Sequence, residues 1–113
     1  VTVEIPGGMI DPGESALEAA QRELLEETGY EAQSWQLIGQ VVPNPAIQDN
    51  KCYTYLAGSA VKVKEPQFDN TEDIETYTVA AKDITKMVKE GKITHSLVLD
   101  AFYFYHLHLV SDM

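Results

Sequence analysis

Three glutamates near the N-terminus have the types and the spacing of a cation-binding site. Glu23, Glu26 and Glu27 lie at i, i+3 and i+4, so on an α-helix their carboxylates share one arc. Carboxylates this close repel one another, and a cluster that offers only oxygen ligands suits a hard divalent cation such as Mg²⁺ or Mn²⁺. The alternative interpretation is an ordinary solvated acidic helix face, which is the common case for a glutamate-rich helix.

The neighbouring residues favour the cation site over the solvated face. Pro6-Gly7-Gly8 forms a loop in which the backbone can approach a ligand closely. Arg22 is the only arginine of the chain and can pair with Glu14, which would hold this loop against the helix. A solvated acidic face requires neither feature.

A helix from Ser15 to Thr28 must position the glutamates. Ser15 and Glu18 have the spacing of a capping box, and Gly29 is placed to end the helix. At 100° per residue, Ala16 and Ala19 share the arc of the carboxylates and are expected to leave open space around them. The adjacent arc, expected to face a sheet, consists of Leu17, Ala20, Leu24, Leu25 and Thr28.

The remaining chain alternates strand and helix patterns, which predicts an α/β or α+β class and a single domain over residues 1–113. The predicted strands are Thr2 to Ile5, Trp35 to Val42, Cys52 to Ala57, Val61 to Lys64 and Ile74 to Val79. The predicted helices after the first are Asp83 to Glu90, closed by Gly91, and a final helix that begins at Thr94 or Ser96 and ends at about Val110.

Composition restricts the possible partners. The 113 residues carry a formal charge of −10, so duplex DNA or an anionic membrane surface is not expected as the main partner. Eight acidic residues and one basic residue lie between Val1 and Glu31, so the acidity is concentrated around the predicted site. Cys52 is the only cysteine and cannot form an internal disulfide, and no apolar run reaches the ~20 residues of a membrane span.

The segment from Gly8 to Tyr30 resembles the Nudix box. That pattern is G-x5-E-x7-R-E-U-x-E-E-x-G-U, with U apolar or aromatic, and all of its specified positions match this sequence. The resemblance implies a Nudix-type α/β/α sandwich with a mixed β-sheet. It also implies a pyrophosphohydrolase that requires a divalent metal, Mg²⁺ or alternatively Mn²⁺.

The resemblance also assigns roles within the box. It implies that Glu23, Glu26 and Glu27 ligate the metal, with Glu26 also counted as catalytic, and that the Gly7 carbonyl is a further ligand. Structural roles are implied for Glu14, Arg22 and Gly29.

Three features outside the box are similar to the ADP-ribose and nucleoside-diphosphate-sugar pyrophosphatases. These are the entry Glu4-Ile5-Pro6-Gly7-Gly8, Pro45 in the loop after the second strand, and the acidic stretch from Asn70 to Glu75. The similarity implies that Glu4, Gly8 and Pro45 contribute to substrate binding. A carboxylate of the acidic stretch is the expected general base, Glu72 first and Glu75 second, and the sequence does not separate them.

The expected reaction is hydrolysis of the diphosphate in ADP-ribose or a nucleotide sugar, giving a nucleoside monophosphate and a sugar phosphate. The alternatives are a pyrophosphohydrolase for nucleoside triphosphates or dinucleoside polyphosphates, and a nucleotide-binding regulator without catalysis. We expect a cytoplasmic protein that binds a small nucleoside diphosphate derivative and is a homodimer at full length. Because few residues precede the glycine loop, the chain is expected to be an N-terminally truncated form that lacks upstream strands.

Overall fold

The computed structural model describes residues 3–43, 50–66 and 75–110. Their helices are α1 (Ala16–Thr28), a 3₁₀ turn (Ala81–Asp83), α2 (Ile84–Lys89) and α3 (Ser96–Val110). Their strands are β1 (Tyr30–Glu31), β2 (Ser34–Val41), β3 (Cys52–Gly58) and β4 (Val61–Lys62). This order of helices and strands confirms the α/β class. Among these residues no helix is long and apolar enough to cross a bilayer.

The described strands form two sheets of two strands each. β1 pairs antiparallel with β4, with Tyr30 opposite Lys62 and Glu31 opposite Val61. β2 pairs with β3. The short β1 was not predicted, because two residues that directly follow a helix carry no alternation of apolar and polar side chains from which a strand could be recognised.

The strand predicted from Val61 to Lys64 ends at Lys62, and two other predicted strands do not form among the described residues. Residues 3–5 form no strand, although the Val3 N–H donates to the Lys92 carbonyl at 2.9 Å. Residues 75–80 are exposed and irregular, although their threonines, tyrosine and valine have high strand propensity. Strand propensity depends on a partner strand and on burial, and the described residues supply neither for this segment.

The chain divides into two compact units. One consists of Val1–Ile5, Gln36–Leu56 and Ala81–Met113, and the other of Pro6–Trp35 and Ala57–Ala80. A single domain over residues 1–113 therefore stays a prediction.

The first unit packs α3 against a strand. Val98 and Ala101 of α3 are buried, as is Ile93 just before the helix. Gly39 of β2 lies so close to the Phe104 ring that a methyl group at residue 39 would overlap it. The apolar residues of this unit are therefore closely packed.

The second unit contains α1, β1 and β4. Its buried apolar residue among those described is Ala19 of α1, which is 4% exposed. The expectation that Ala19 leaves open space beside the carboxylates is therefore wrong, because its side chain is covered by other atoms. Leu24, Leu25 and Thr28 of the arc expected to face a sheet are half-buried.

Candidate functional site: a glycine loop held against an acidic helix

The ends of α1 are fixed by local hydrogen bonds. The Ser15 hydroxyl accepts from the Glu18 N–H at 3.1 Å, and the Glu18 carboxylate accepts from the Ser15 N–H at 2.9 Å. At the other end Gly29 adopts φ 77° and donates its N–H to the Leu25 carbonyl at 2.8 Å. The capping box predicted from the sequence is present, and the stretch that carries the glutamates is a continuous helix.

Gly29 also permits a close approach of the chain after β4. Its carbonyl accepts from the N–H groups of Val63 and Lys64 at 2.8 and 3.2 Å. A side chain at residue 29 would overlap the Lys64 carbonyl. Two independent constraints, a left-handed backbone and this contact, therefore require glycine here.

Arg22 joins the glycine loop to α1. Its Nε and Nη2 donate to the two carboxylate oxygens of Glu14 at 2.8 and 3.0 Å, in the bidentate geometry of a strong arginine–carboxylate pair. Nη2 also donates to the Met9 carbonyl at 3.0 Å and lies 3.5 Å from Oδ2 of Asp11. The Asp11 N–H completes the set by donating to Glu14 Oε1 at 2.9 Å.

The same guanidinium contacts two of the three glutamates of the predicted cation site. Arg22 Nη1 donates to Oε1 of Glu23 at 2.8 Å and to Oε2 of Glu26 at 3.3 Å. The side chain of Glu23 is 15% exposed and that of Glu26 is 44% exposed. A positive charge therefore already offsets part of the repulsion within the cluster.

The third glutamate binds the glycine loop directly. Glu27 Oε2 accepts from the Gly7 N–H at 3.2 Å. Gly8 lies against the Glu23 carboxylate so closely that a Cβ at residue 8 would overlap it. The loop and the acidic arc therefore touch at two successive glycines, and a side chain at the second would displace the Glu23 carboxylate.

These pairings shift the pKa of both partners in opposite directions. The hydrogen bonds from Arg22 and from the Asp11 N–H lower the pKa of Glu14 below its usual range. The Glu14 carboxylate, and to a smaller extent that of Glu23, raises the pKa of Arg22. Arg22 and Glu14 are therefore charged throughout the neutral range, as an ion pair that fixes the loop must be.

The donor set fits a hard divalent cation in chemistry. Glu23, Glu26 and Glu27 offer carboxylate oxygens and the loop offers the Gly7 carbonyl, and such ligands suit Mg²⁺ or Mn²⁺. In the geometry described, no three His, Cys, Asp or Glu side chains of residues 3–43, 50–66 and 75–110 converge as a metal cluster. Arg22 binds one oxygen of Glu23 and one of Glu26, and a carboxylate that accepts through one oxygen can ligate a cation through the other.

The segment that follows the acidic stretch is attached to the C-terminal end of α1. The Thr76 hydroxyl donates to the Glu27 carbonyl at 3.0 Å. Glu75 and Thr76 line an open cavity of about 600 Å³ together with Thr28. Nothing in the sequence signalled Thr76, since a threonine in a predicted strand is unremarkable.

The structure does not place the other residues named from the sequence at the acidic helix. Glu4 belongs to the other compact unit and is exposed. Glu72 and Pro45 lie outside the described residues. The roles of all the predicted site residues stay predictions, including the choice between Glu72 and Glu75 as the base. The sequence did not indicate that the Met9 carbonyl and Asp11 also contact Arg22.

The site thus consists of an acidic, capped helix hydrogen-bonded to a glycine loop within an α/β fold. The NUDIX domain model matches residues 2–102, so the chain belongs to the Nudix family. A solved structure described as an ADP compounds hydrolase shares the fold with a TM-score of 0.80 and 23% identity, over 93% of this chain and 56% of that one.

Two curated relatives differ in the substrates that their names give. An ADP-ribose pyrophosphatase of Bacillus subtilis (strain 168) is 33% identical over 92 residues, which are 80% of this chain and 50% of that protein. A candidate 8-oxo-dGTP diphosphatase of the same organism is 56% identical over 48 residues, which are 42% of this chain and 32% of that protein. The chain thus spans from a third to half the length of these relatives.

Proposed function

We propose that this chain hydrolyses the diphosphate of ADP-ribose or of a nucleoside-diphosphate sugar, giving a nucleoside monophosphate and a sugar phosphate. The observation that carries the proposal is a pair of contacts to the glutamates of α1: Arg22 binds Glu23, Glu26 and the Met9 carbonyl, and the Gly7 N–H of the glycine loop donates to Glu27. A solvated acidic helix face does not require such contacts. The similarity to the ADP-ribose pyrophosphatase supports the choice of substrate.

Glu23, Glu26 and Glu27 would hold the divalent metal, with the Gly7 carbonyl as a further ligand. When bound, the metal would neutralise the phosphates, activate water and stabilise the leaving oxygen. Without that neutralisation the acidic helix would repel a diphosphate. Mg²⁺ is the proposed ion and Mn²⁺ the alternative.

The residues of this chain contribute position and proton transfer. The Arg22–Glu14 pair and the bond from Arg22 to the Met9 carbonyl would keep the residues after the glycine loop at a fixed distance from α1. A water oxygen adds to one phosphorus while the bridging P–O bond breaks. The proton of that water passes to a carboxylate outside the cluster, Glu72 or Glu75.

A substrate panel with identification of the products tests this proposal. With Mg²⁺ present, ADP-ribose should give AMP and ribose 5-phosphate, and EDTA should stop the reaction. Adding excess Mg²⁺ after EDTA is the matched control and should restore it. Failure of every diphosphate in the panel to be hydrolysed in Mg²⁺ or Mn²⁺ would contradict the proposal.

A second candidate is pyrophosphohydrolysis of a nucleoside triphosphate. The 56% identity to the candidate 8-oxo-dGTP diphosphatase favours it, because that similarity is the higher of the two although it covers fewer residues. The same panel separates the candidates, since a triphosphate would release pyrophosphate. Nucleotide binding without metal-stimulated turnover on any compound would instead indicate a regulator.

A homodimer and a cytoplasmic location follow from the family resemblance alone and are part of the proposal. Light scattering on the purified protein tests the first, with a mass of two chains expected and the mass of one chain contradicting it. Cell fractionation tests the second.

A further inference from the structure

The hydrogen bond between Thr76 and α1 ends on a carbonyl that the helix leaves without an internal partner. The last four carbonyls of an α-helix have no N–H to accept within the helix, and Glu27 is one of these residues. The Thr76 hydroxyl donates to the Glu27 carbonyl at 3.0 Å. Thr76 is 49 residues away in sequence, so this bond fixes a distant segment rather than extending the helix.

Glu27 is thereby bound on two sides. Its carboxylate accepts from the Gly7 N–H at 3.2 Å, and its carbonyl accepts from Thr76. The glycine loop and the segment that begins at Glu75 are consequently hydrogen-bonded to the same residue of α1. All of these residues belong to one compact unit.

Glu75 immediately precedes Thr76, so its Cα lies about 3.8 Å from that of the anchored residue. It also lines the same open cavity as Thr28, the residue that follows Glu27. A general base must lie outside the predicted metal cluster and within reach of a water bound there. The bond from Thr76 fixes the backbone next to Glu75 at the end of α1 that carries Glu27.

We infer that Thr76 is a positioning residue whose hydroxyl holds Glu75 beside Glu27, so that Glu75 accepts the proton of the attacking water. This inference rests on the proposed hydrolase function. A hydroxyl that only completed the end of α1 would contribute to the stability of the fold and would leave the rate per folded molecule unchanged.

The first test removes the hydroxyl and keeps the shape of the side chain. Thr76→Val should lower kcat for ADP-ribose by about tenfold to a hundredfold, because a small displacement of a catalytic group has this effect on the rate. KM should stay within about twofold, since Thr76 is not placed in contact with the substrate. Thr76→Ser should recover most of kcat, because it restores the donor to the Glu27 carbonyl.

Thr85→Val is the matched control, since Thr85 is an exposed threonine of α2 and makes the same change of side chain elsewhere. It should leave kcat unchanged. Amide hydrogen exchange provides a reading independent of activity: residues 75–80 should exchange faster in Thr76→Val than in the unsubstituted protein, and at the original rate in Thr76→Ser.

A double-mutant cycle decides whether Thr76 acts through Glu75. Glu75→Gln should lower kcat by about 10²- to 10⁴-fold, as expected for loss of a general base. In that background Thr76→Val should change kcat by less than about twofold, since the group that it positions is gone. Effects of the two substitutions that multiply would overturn the inference, as would a Thr76→Val variant with the original kcat.

The two levels of the proposal fail in different ways. A protein without metal-stimulated turnover on any diphosphate would contradict the proposed function, and the inference with it. A protein that turns over ADP-ribose, loses activity in Glu26→Gln and keeps it in Thr76→Val and Glu75→Gln would contradict the inference alone.

Discussion

α1 and α3 have similar lengths, 13 and 15 residues, but interact with the neighbouring residues in different ways. α1 is polar, has one buried residue and is fixed by a capping box and the hydrogen bonds of Arg22. α3 contains one acidic residue, Asp100, and packs by apolar contact, with Val98 and Ala101 buried and Phe104 against Gly39.

The difference separates positioning from stability. Hydrogen bonds and ion pairs are directional and fix the distances between groups, whereas apolar burial is non-directional and contributes mainly to the free energy of folding. We therefore expect substitutions around α1 to change turnover more than stability, and substitutions around α3 to do the reverse.

Glu27→Gln is expected to have the largest effect. The amide keeps the size of the side chain but loses the charge that ligates a divalent cation, so kcat in Mg²⁺ should fall by about 10²- to 10⁴-fold. The circular dichroism spectrum and Tm should change little, because the side chain is only half-buried. Glu31→Gln makes the same change on an exposed residue of β1 and should keep full activity. Near-normal turnover in Glu27→Gln would contradict the metal assignment.

Arg22→Lys is expected to have the next largest effect. Lysine keeps the charge but cannot reproduce the two parallel hydrogen bonds to Glu14 together with those to the Met9 carbonyl and Glu23. The loop should then shift relative to α1, and kcat/KM should fall by about tenfold to a hundredfold. Lys62→Arg on β4 is the control: it makes the reverse exchange of lysine and arginine and should leave kcat/KM unchanged. Equal kcat/KM in Arg22→Lys and the original protein would show that the arginine fork does not position the loop.

Gly39→Ala tests the other side of the comparison. The added methyl group would overlap the Phe104 ring, and overpacking of this kind costs about 1–3 kcal/mol. The free energy of unfolding from urea titration should fall accordingly, while kcat per folded molecule stays unchanged at low temperature. The double variant Gly39→Ala/Phe104→Leu should recover part of the loss, because the smaller side chain makes room. A loss of kcat without a loss of stability would contradict the division between the two helices.

The pH dependence of stability should show the smallest effect. Because Arg22 lowers the pKa of Glu14 in the folded protein, this carboxylate contributes stability above its unfolded value of about 4.5. The contribution is lost as the pH falls through the lower folded pKa. The difference in Tm between the original protein and Glu14→Gln should therefore be largest near neutral pH and shrink below about pH 4.5. A constant difference from pH 3 to 7 would show that the Arg22–Glu14 pair contributes no charge-dependent stability.

Short-range patterns allowed α1 to be predicted almost completely. Ser15, Glu18 and Gly29 fix the ends of the helix through contacts within a few residues, and such contacts depend little on the rest of the chain. The strands β2 and β3 and the helix α3 were also predicted to within one or two residues. They are long, and each has a sustained pattern of residue types.

Predictions that needed a distant partner were less accurate. Residues 75–80 have the composition of a strand but form no ladder among the described residues, and β1 forms only because Tyr30 and Glu31 meet β4. Ala19 was expected beside an open space and is buried. Each of these outcomes depends on which segment lies alongside, which a local pattern does not encode.

The sequence by itself determined the family, the acidic arc of α1, its caps and the expected pairing of Arg22 with Glu14. These follow from residue identity and from the fixed geometry of a helix. Only the tertiary structure decided that Arg22 binds the Met9 carbonyl, that Glu27 contacts Gly7, and that Thr76 reaches the Glu27 carbonyl. The physical reason is that hydrogen bonds between segments require donors and acceptors to meet within about 3 Å, and chain folding alone sets those distances.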